Sequence, residues 1–524
     1  MSFAASLVWS LLRAVVVAAI AVPVSAMQET AVRQQSGARR RWLLGLLLAP
    51  LFAPDLLVGY AYARFDLSLL HRPLWNEALY LCLVTLKFVP AGLVLRLIAP
   101  PPLESPEARH CRRLLLAVSA TRADRLGLGR MAAPSLAAAV ALLVFLLTFQ
   151  EFEIASEMSV AAWSVHLFDS QARGLNLTTL LERSIVPAVL QLMMAALLVV
   201  LLIRWTQTER PHWNEYRLEV DSGRSGRTGW WLSAAGVALL WGLPVGIVGV
   251  SGLSAVRSLT ENPTLVRSFV PELTVAVILA AAAGCGAAAL SAWLSRRLRA
   301  VSLRRVDRVW RVGESPLPDP LPKGERGPGY DGRSRSGLVL LVTGACLTAG
   351  AMGSLVLSAL MLAAIQLPVL VEFRDTVFPL VATLILVLIP RGLFLFLLVA
   401  PLMVRESDYL AGLLTRGAEN SQRSRQGARY LWASGPRRTL LLTGLLAWWA
   451  FLNLTATAML CPASISLPGT SGAIVPLPVR LYNLMHYGRN GPLSLMTLLS
   501  VLVPLTLFVL LERLLAYAWR RRKL

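Results

Sequence analysis

Apolar runs of roughly twenty residues, each closed by a short polar segment, recur along the chain. They lie near 5–26, 42–62, 76–98, 132–150, 184–203, 229–252, 270–293, 337–361, 376–403, 439–460 and 491–511. A bilayer core about 30 Å thick needs roughly 20 apolar residues per helix, so each run predicts a membrane-spanning helix. The pattern predicts an all-α polytopic membrane protein with about eleven transmembrane helices. The first run, within "MSFAASLVWSLLRAVVVAAIAVPVSA", ends in small residues like a secretory signal peptide, yet it is long enough to remain as a span.

Composition agrees, because 56% of the 524 residues are hydrophobic and only 15% charged, too few charges for a soluble multidomain protein. The net charge of +22 changes meaning once its placement is read. Taking alternate connections as cytoplasmic puts 38 of the 51 Lys and Arg on one side and 9 on the other. That is the orientation signal of a membrane protein and not a nucleic-acid footprint. It predicts a periplasmic N-terminus and a cytoplasmic C-terminal "RRRKL". Within the longest inner loop, "ESPLPDPLPKGERGPGYDGRSRSG" is rich in Pro, Gly and charge and reads as part of a flexible basic insertion over 300–336. The cysteines 82, 111, 285, 346 and 461 stand singly, which predicts neither disulfides nor a metal framework.

Three blocks of the chain occur twice. "SVHLFDSQARG" (164–174) aligns without a gap on "PVRLYNLMHYG" (478–488), pairing Phe168 with Tyr482, Asp169 with Asn483 and Gly174 with Gly488. "LLTFQEFEIASEM" (146–158) aligns on "WWAFLNLTATAML" (448–460), with Glu151 over Asn453. "LKFVPAGLVLRLIAPPPLES" (86–105) aligns on "LVLIPRGLFLFLLVAPLMVRES" (386–407). A duplication of five spans would insert its second copy upside down, and the run 229–252 restores the orientation. The expected organisation is two parallel five-helix repeats: a first lobe over 1–203, a cytoplasmic connection over 204–228, a linking span over 229–252 and a second lobe over 270–524. A functional path belongs at the interface of such repeats.

These blocks, together with "LLAPLFAPDLLVGYAY" (47–62), resemble the inner-membrane permease of binding-protein-dependent ABC importers. The nearest branch is the fused, two-lobed type associated with ferric iron, thiamine or phosphonate uptake. The resemblance implies a bacterial inner-membrane protein without cofactor. It also implies a cytoplasmic ABC ATPase dimer as partner, a periplasmic or lipoprotein solute-binding protein, and a small-molecule solute. It places ATPase coupling on the inner loops "SPEARHCRRLLLAVSATRADRLGLGRMAAP" (105–134) and "SDYLAGLLTRGAENSQRSRQGARYLWASGP" (407–436). These keep the length, basic charge and closing proline of coupling loops without a clean Glu-Ala-Ala and Gly spacing. The alternative is a permease-like sensor or assembly partner that lacks ATPase coupling.

Motifs for catalysis are missing from the sequence: there is no G-x-x-x-x-G-K-[ST], HExxH or GxSxG, and the five histidines are scattered. An enzyme is not expected. Lys87 and Arg391 sit inside apolar runs beside Pro90 and Pro390, where an ionisable residue marks a path or a partner. They face an anionic solute at the interface, or else snorkel or pair with a carboxylate. Glu151, Glu153 and Asn453 line the outer mouth of the path, or else mark the membrane boundary. Phe168, Asp169, Tyr482, Asn483 and His486 are the candidates for a periplasmic gate carried by two short outer helices, the other reading being loop packing.

Overall fold

In lipid a single chain segment satisfies its own backbone groups by forming an α-helix. The computed structural model follows that rule, with no strand among the described residues. Those are 2–35, 37–63, 65, 72–98, 134–172, 177–207, 225–253, 255–256, 263–313, 345–346, 349–350, 352–373, 376–403, 439–460, 475–487 and 491–521. The first half contains α1 (Phe3–Gln34), α2 (Gly37–Leu48), α3 (Asp55–Ala63), α4 (Pro73–Ile98), α5 (Pro134–Phe149), α6 (Glu153–Glu157), α7 (Trp163–Ala172) and α8 (Leu177–Gln207). Next come α9 (Ser225–Val237) and α10 (Leu243–Leu253), joined by a π turn at Ala238–Gly242. The second half contains α11 (Pro263–Gly313), α12 (Gly353–Ala364), α13 (Phe378–Met403), α14 (Thr439–Leu452), α15 (Leu454–Leu460), α16 (Leu477–Tyr487) and α17 (Gly491–Arg521).

An apolar helix falls in every apolar run of the sequence. Six are long enough to cross a bilayer, and the bent pair Trp42–Phe52 and Asp55–Ala63 makes a seventh. Leu136–Phe149, Gly353–Ala364, Phe378–Leu393 and Thr439–Leu452 are shorter, and each adjoins residues or side chains outside the described set. The chain is thus an all-α, membrane-embedded protein, with six or seven helices long enough to cross among the described residues. Of the flexible insertion expected over 300–336, residues 300–313 instead continue helix α11, while 314–336 lie outside the described residues, as do the inner loops 99–131 and 404–438 and Cys111, Cys461, His71, His110 and His212.

The bend of 69° in the second run follows from its prolines. Pro50 opens a short 3₁₀ turn and Pro54 precedes α3, and neither can donate the backbone hydrogen bond that would continue the helix. The first run is an integral helix, because Ala14, Val17 and Ala21 of α1 lie in the same apolar core as Val84 of α4 and Val140 of α5. Large apolar side chains at helical spacing point outward elsewhere, such as Ile185, Val189 and Met193 on α8 and Leu507, Leu510 and Leu514 on α17. Such faces suit contact with lipid.

Packing repeats between the halves. α1 packs on α4 and α7 as α11 packs on α13 and α16, and α3 meets α6 as α12 meets α15. α10 lies against α3 of the first half and α17 of the second. Close approach needs small residues at two of these contacts: a Cβ on Gly59 of α3 would stand 2.7 Å from Glu157 Cβ of α6, and one on Gly284 of α11 would stand 2.5 Å from the Ala447 backbone of α14. An ion pair fixes the leading helix of each half: Arg13 of α1 binds Glu77 of α4, and Glu272 of α11 binds Arg480 of α16.

Candidate functional site

Residues 150–160 follow α5 yet do not form an exposed outer loop. Phe152, Ile154, Ala155 and Met158 are buried, and Ser159 turns the chain with a φ of 54°. A helix break buried in protein must rehouse its free backbone groups. Trp163 Nε1 donates to Phe149 O at 2.7 Å, and Ser164 Oγ donates to Glu151 O at 2.9 Å. The Glu151 carboxylate accepts from Ile154 N at 2.6 Å, Ala155 N at 3.1 Å and Tyr80 Oη at 2.9 Å. Glu151 is therefore held on both oxygens, with its role set by the fold. Glu153, two residues on, is 6% exposed and hydrogen-bonds Thr455 of α15 across the contact between the halves.

Lys87 pairs with Asp55, the first residue of α3. Of the two readings of this lysine, pairing with a carboxylate is the one its geometry matches. Lys87 is also within electrostatic reach of Glu151, Glu153 and Arg391, so four of the five sequence-derived path candidates share one neighbourhood. Arg391 lies with its guanidinium carbon 5.6 Å from the Trp449 ring centre, and its Nη1 has no hydrogen-bond partner. The fifth candidate, Asn453, differs. Its Nδ2 donates to Trp449 O at 2.8 Å, the carbonyl four residues back in the chain.

A narrow cleft of about 330 Å³, counted to its open mouth, lies between the halves. Asp55 and Glu153 of the first half face Thr455, Pro478, Thr497 and Ser500 of the second. Tyr60 Oη and Ser494 Oγ, 3.0 Å apart, join the halves nearby, as does Trp448 Nε1 donating to Phe52 O at 3.1 Å.

The paired outer helices meet. Phe168 of α7 and Tyr482 of α16 pack edge to face with centroids 5.6 Å apart, and Phe152 closes the group at 5.3 Å from Phe168 and 5.8 Å from Tyr482. Tyr482 is fully buried, its hydroxyl 2.6 Å from Ser156 Oγ, and burial pushes that hydroxyl's pKa above its usual range. Asp169 and Asn483 are exposed and stand apart from this aromatic contact, a consequence of their following Phe168 and Tyr482 by one residue, about 100° around the helix. His486 belongs to α16, and its side chain is outside the described set.

Sequence reasoning missed Asp55, Thr455, Phe152 and Ser156. Asp55 carried a signal, as a carboxylate directly after Pro54 inside an apolar run. Thr455 carried a weaker one, as the residue aligned with Glu153 in the repeat, while Phe152 and Ser156 carried none, because nothing in a phenyl ring or a hydroxyl shows that it will face another half of the chain. Compared with family models, with curated proteins and with solved structures, the chain matches none.

Proposed function

We propose that the chain is the membrane permease of a binding-protein-dependent ABC importer, with both lobes in one polypeptide. In this reading the eleven apolar helices are eleven spans, arranged as parallel lobes over 1–203 and 270–524 and joined by the span 229–252. The protein sits in a bacterial inner membrane with a periplasmic N-terminus and a cytoplasmic C-terminus. A cytoplasmic ATPase dimer drives it, and a periplasmic or lipoprotein binding protein delivers an iron, thiamine or phosphonate-like solute.

The observation that carries the reading is the meeting of Phe168 with Tyr482. Two residues that align in the sequence repeat touch each other, as equivalent residues do when they lie on the axis relating two parallel copies. A cleft between the halves is lined from both, with Asp55 and Glu153 of the first facing Thr455, Thr497 and Ser500 of the second. A path at the interface of two repeats that is shut on one side is one of the two states that alternating access requires.

The test is co-purification in mild detergent from the native organism. An ATPase should accompany the full chain and be lost when 408–430 is deleted. A full chain that brings down no ATPase, from membranes where it is expressed with its neighbouring genes, makes it a permease-like protein without coupling.

A further inference from the structure

We infer that the connection between α12 and α13, over 365–373 and 376–378, is sunk into the bilayer interface, where phospholipid acyl chains cover its apolar side chains. This goes beyond the importer reading and stands apart from it.

Leu367, Val369, Val371, Phe373, Val377 and Phe378 are all exposed, Val369 to 84%. Glu372 is the one ionisable side chain among the described residues of the connection. A contiguous apolar patch is uncommon on a surface that faces water, and it marks either a protein partner or a membrane. A protein partner leaves a polar rim around an apolar centre, and here apolar side chains follow one another along the whole segment without such a rim. Lipid accepts an apolar surface of any shape. The lone Glu372 is acidic, so apolar area and not attraction to anionic headgroups supplies the binding.

The backbone points the same way. A loop in water can leave its N–H groups to solvent, whereas a segment at membrane depth must satisfy them itself. Ile365 N donates to Met361 O, Leu367 N to Ala364 O, Leu370 N and Val371 N to Leu367 O, Phe373 N to Leu370 O and Thr376 N to Phe373 O, at 2.9 to 3.2 Å. Pro368 has no N–H to satisfy. The hydroxyl of Thr376 donates to Phe373 O at 2.7 Å and accepts from Phe378 N at 3.3 Å, so it too is used on the local backbone.

The apolar surface is continuous with that of the flanking helices. Leu360 of α12 precedes the connection with its side chain exposed, and the Phe373 ring lies 5.2 Å from that of Phe378 in the first turn of α13. The corresponding connection of the first half, between α3 and α4, carries the same feature: Leu74 and Trp75, at the start of α4, are 82% and 66% exposed. Tryptophan at the end of a span is a marker of the membrane–water interface. Both connections present large apolar side chains where an apolar helix begins.

The experiment places a bimane fluorophore on Val369→Cys or Leu367→Cys, in the full chain with its five native cysteines replaced by alanine, reconstituted in phosphatidylcholine vesicles. Met193→Cys, on the outward face of α8, is the lipid-facing reference. Lipid carrying a nitroxide high on its acyl chain should quench the label at 369 as it quenches the reference, and iodide in the buffer should not. Quenching by iodide instead places the segment in water and overturns the inference. Quenching by neither means that protein covers it, a second copy or another chain, and overturns it equally. If Val369→Cys fails to reconstitute, Leu367→Cys decides. In a chain that also carries Val369→Asp and Val371→Asp, the label at 367 should pass from lipid quenching to iodide quenching; lipid quenching that persists would show that these side chains do not hold the segment in the membrane. ATPase co-purification bears on the importer reading alone, and these quenching results bear on the connection alone.

Discussion

Phe168 and Tyr482, 314 residues apart, lie edge to face at 88° with their ring centroids 5.6 Å apart. Each is the other's counterpart in a duplicated eleven-residue motif, so the contact joins the two copies at one point. Cysteines at 168 and 482 should therefore form a cross-link under mild oxidation. If the contact is an outer gate, the oxidised protein loses solute uptake and regains it on reduction; uptake that survives complete cross-linking rules the gate out.

Tyr482 also ties to Ser156 through its hydroxyl, 2.6 Å away. Tyr482→Phe keeps the ring contacts and removes one buried hydrogen bond, a loss of about 1 kcal/mol. Phe168→Ala empties aromatic volume and should destabilise by about 3 kcal/mol. Thermal unfolding in detergent should rank the two variants in that order. The reverse order would mean that the hydroxyl, and not the ring, holds the outer helices together.

Lys87 and Asp55 form one buried unit, so removing either alone leaves a charge without its partner. Lys87→Met should lower stability by about 3 to 5 kcal/mol. The double variant Lys87→Met, Asp55→Asn should recover a large part of that loss. A double variant as unstable as the sum of the single ones would show that the two side chains act separately.

Glu151 and Glu153 are two residues apart and should respond differently to the same change. Glu151→Gln disturbs a carboxylate that holds Ile154 N, Ala155 N and Tyr80, so its main effect should be a lower unfolding temperature, from a loss of about 2 kcal/mol. Glu153→Gln should leave the unfolding temperature nearly unchanged and alter which solute or ion the protein takes. Equal effects of both variants on stability and on selectivity would contradict this division.

Gly59 faces Glu157 where α3 crosses α6, and a methyl group there would stand 2.7 Å from Glu157 Cβ. Gly59→Ala should push the two helices apart and cost about 1 to 3 kcal/mol by overpacking. Gly45, with open space around it, is the control: Gly45→Ala should be neutral or slightly stabilising in the same unfolding assay.

Much of the architecture was legible in one dimension. Burial in lipid forces each apolar run to satisfy its own backbone, so the places of the helices follow from hydropathy alone, and the apolar helices fall where the runs lie. The duplicated motif also pointed to Phe168 and Tyr482 as a pair, since alignment alone makes them equivalent.

The sequence by itself determined an all-helical membrane protein, the order of its apolar segments and the ionisable residues buried among them. It named Lys87 and Arg391 because charge inside an apolar run is costly and so stands out, and Glu151 and Glu153 because they open the segment that follows an apolar run, at the mouth of a path or at the membrane boundary. Only the tertiary structure decided that these four share one neighbourhood, that Asp55 is the partner of Lys87, and that Glu151 is committed to backbone amides while Glu153 faces the cleft. The physical reason is that the cost of burying a charge is local and readable from its neighbours in the chain. The partner that offsets the cost comes from another helix, brought close by the bend after Pro50 and the break after Phe149.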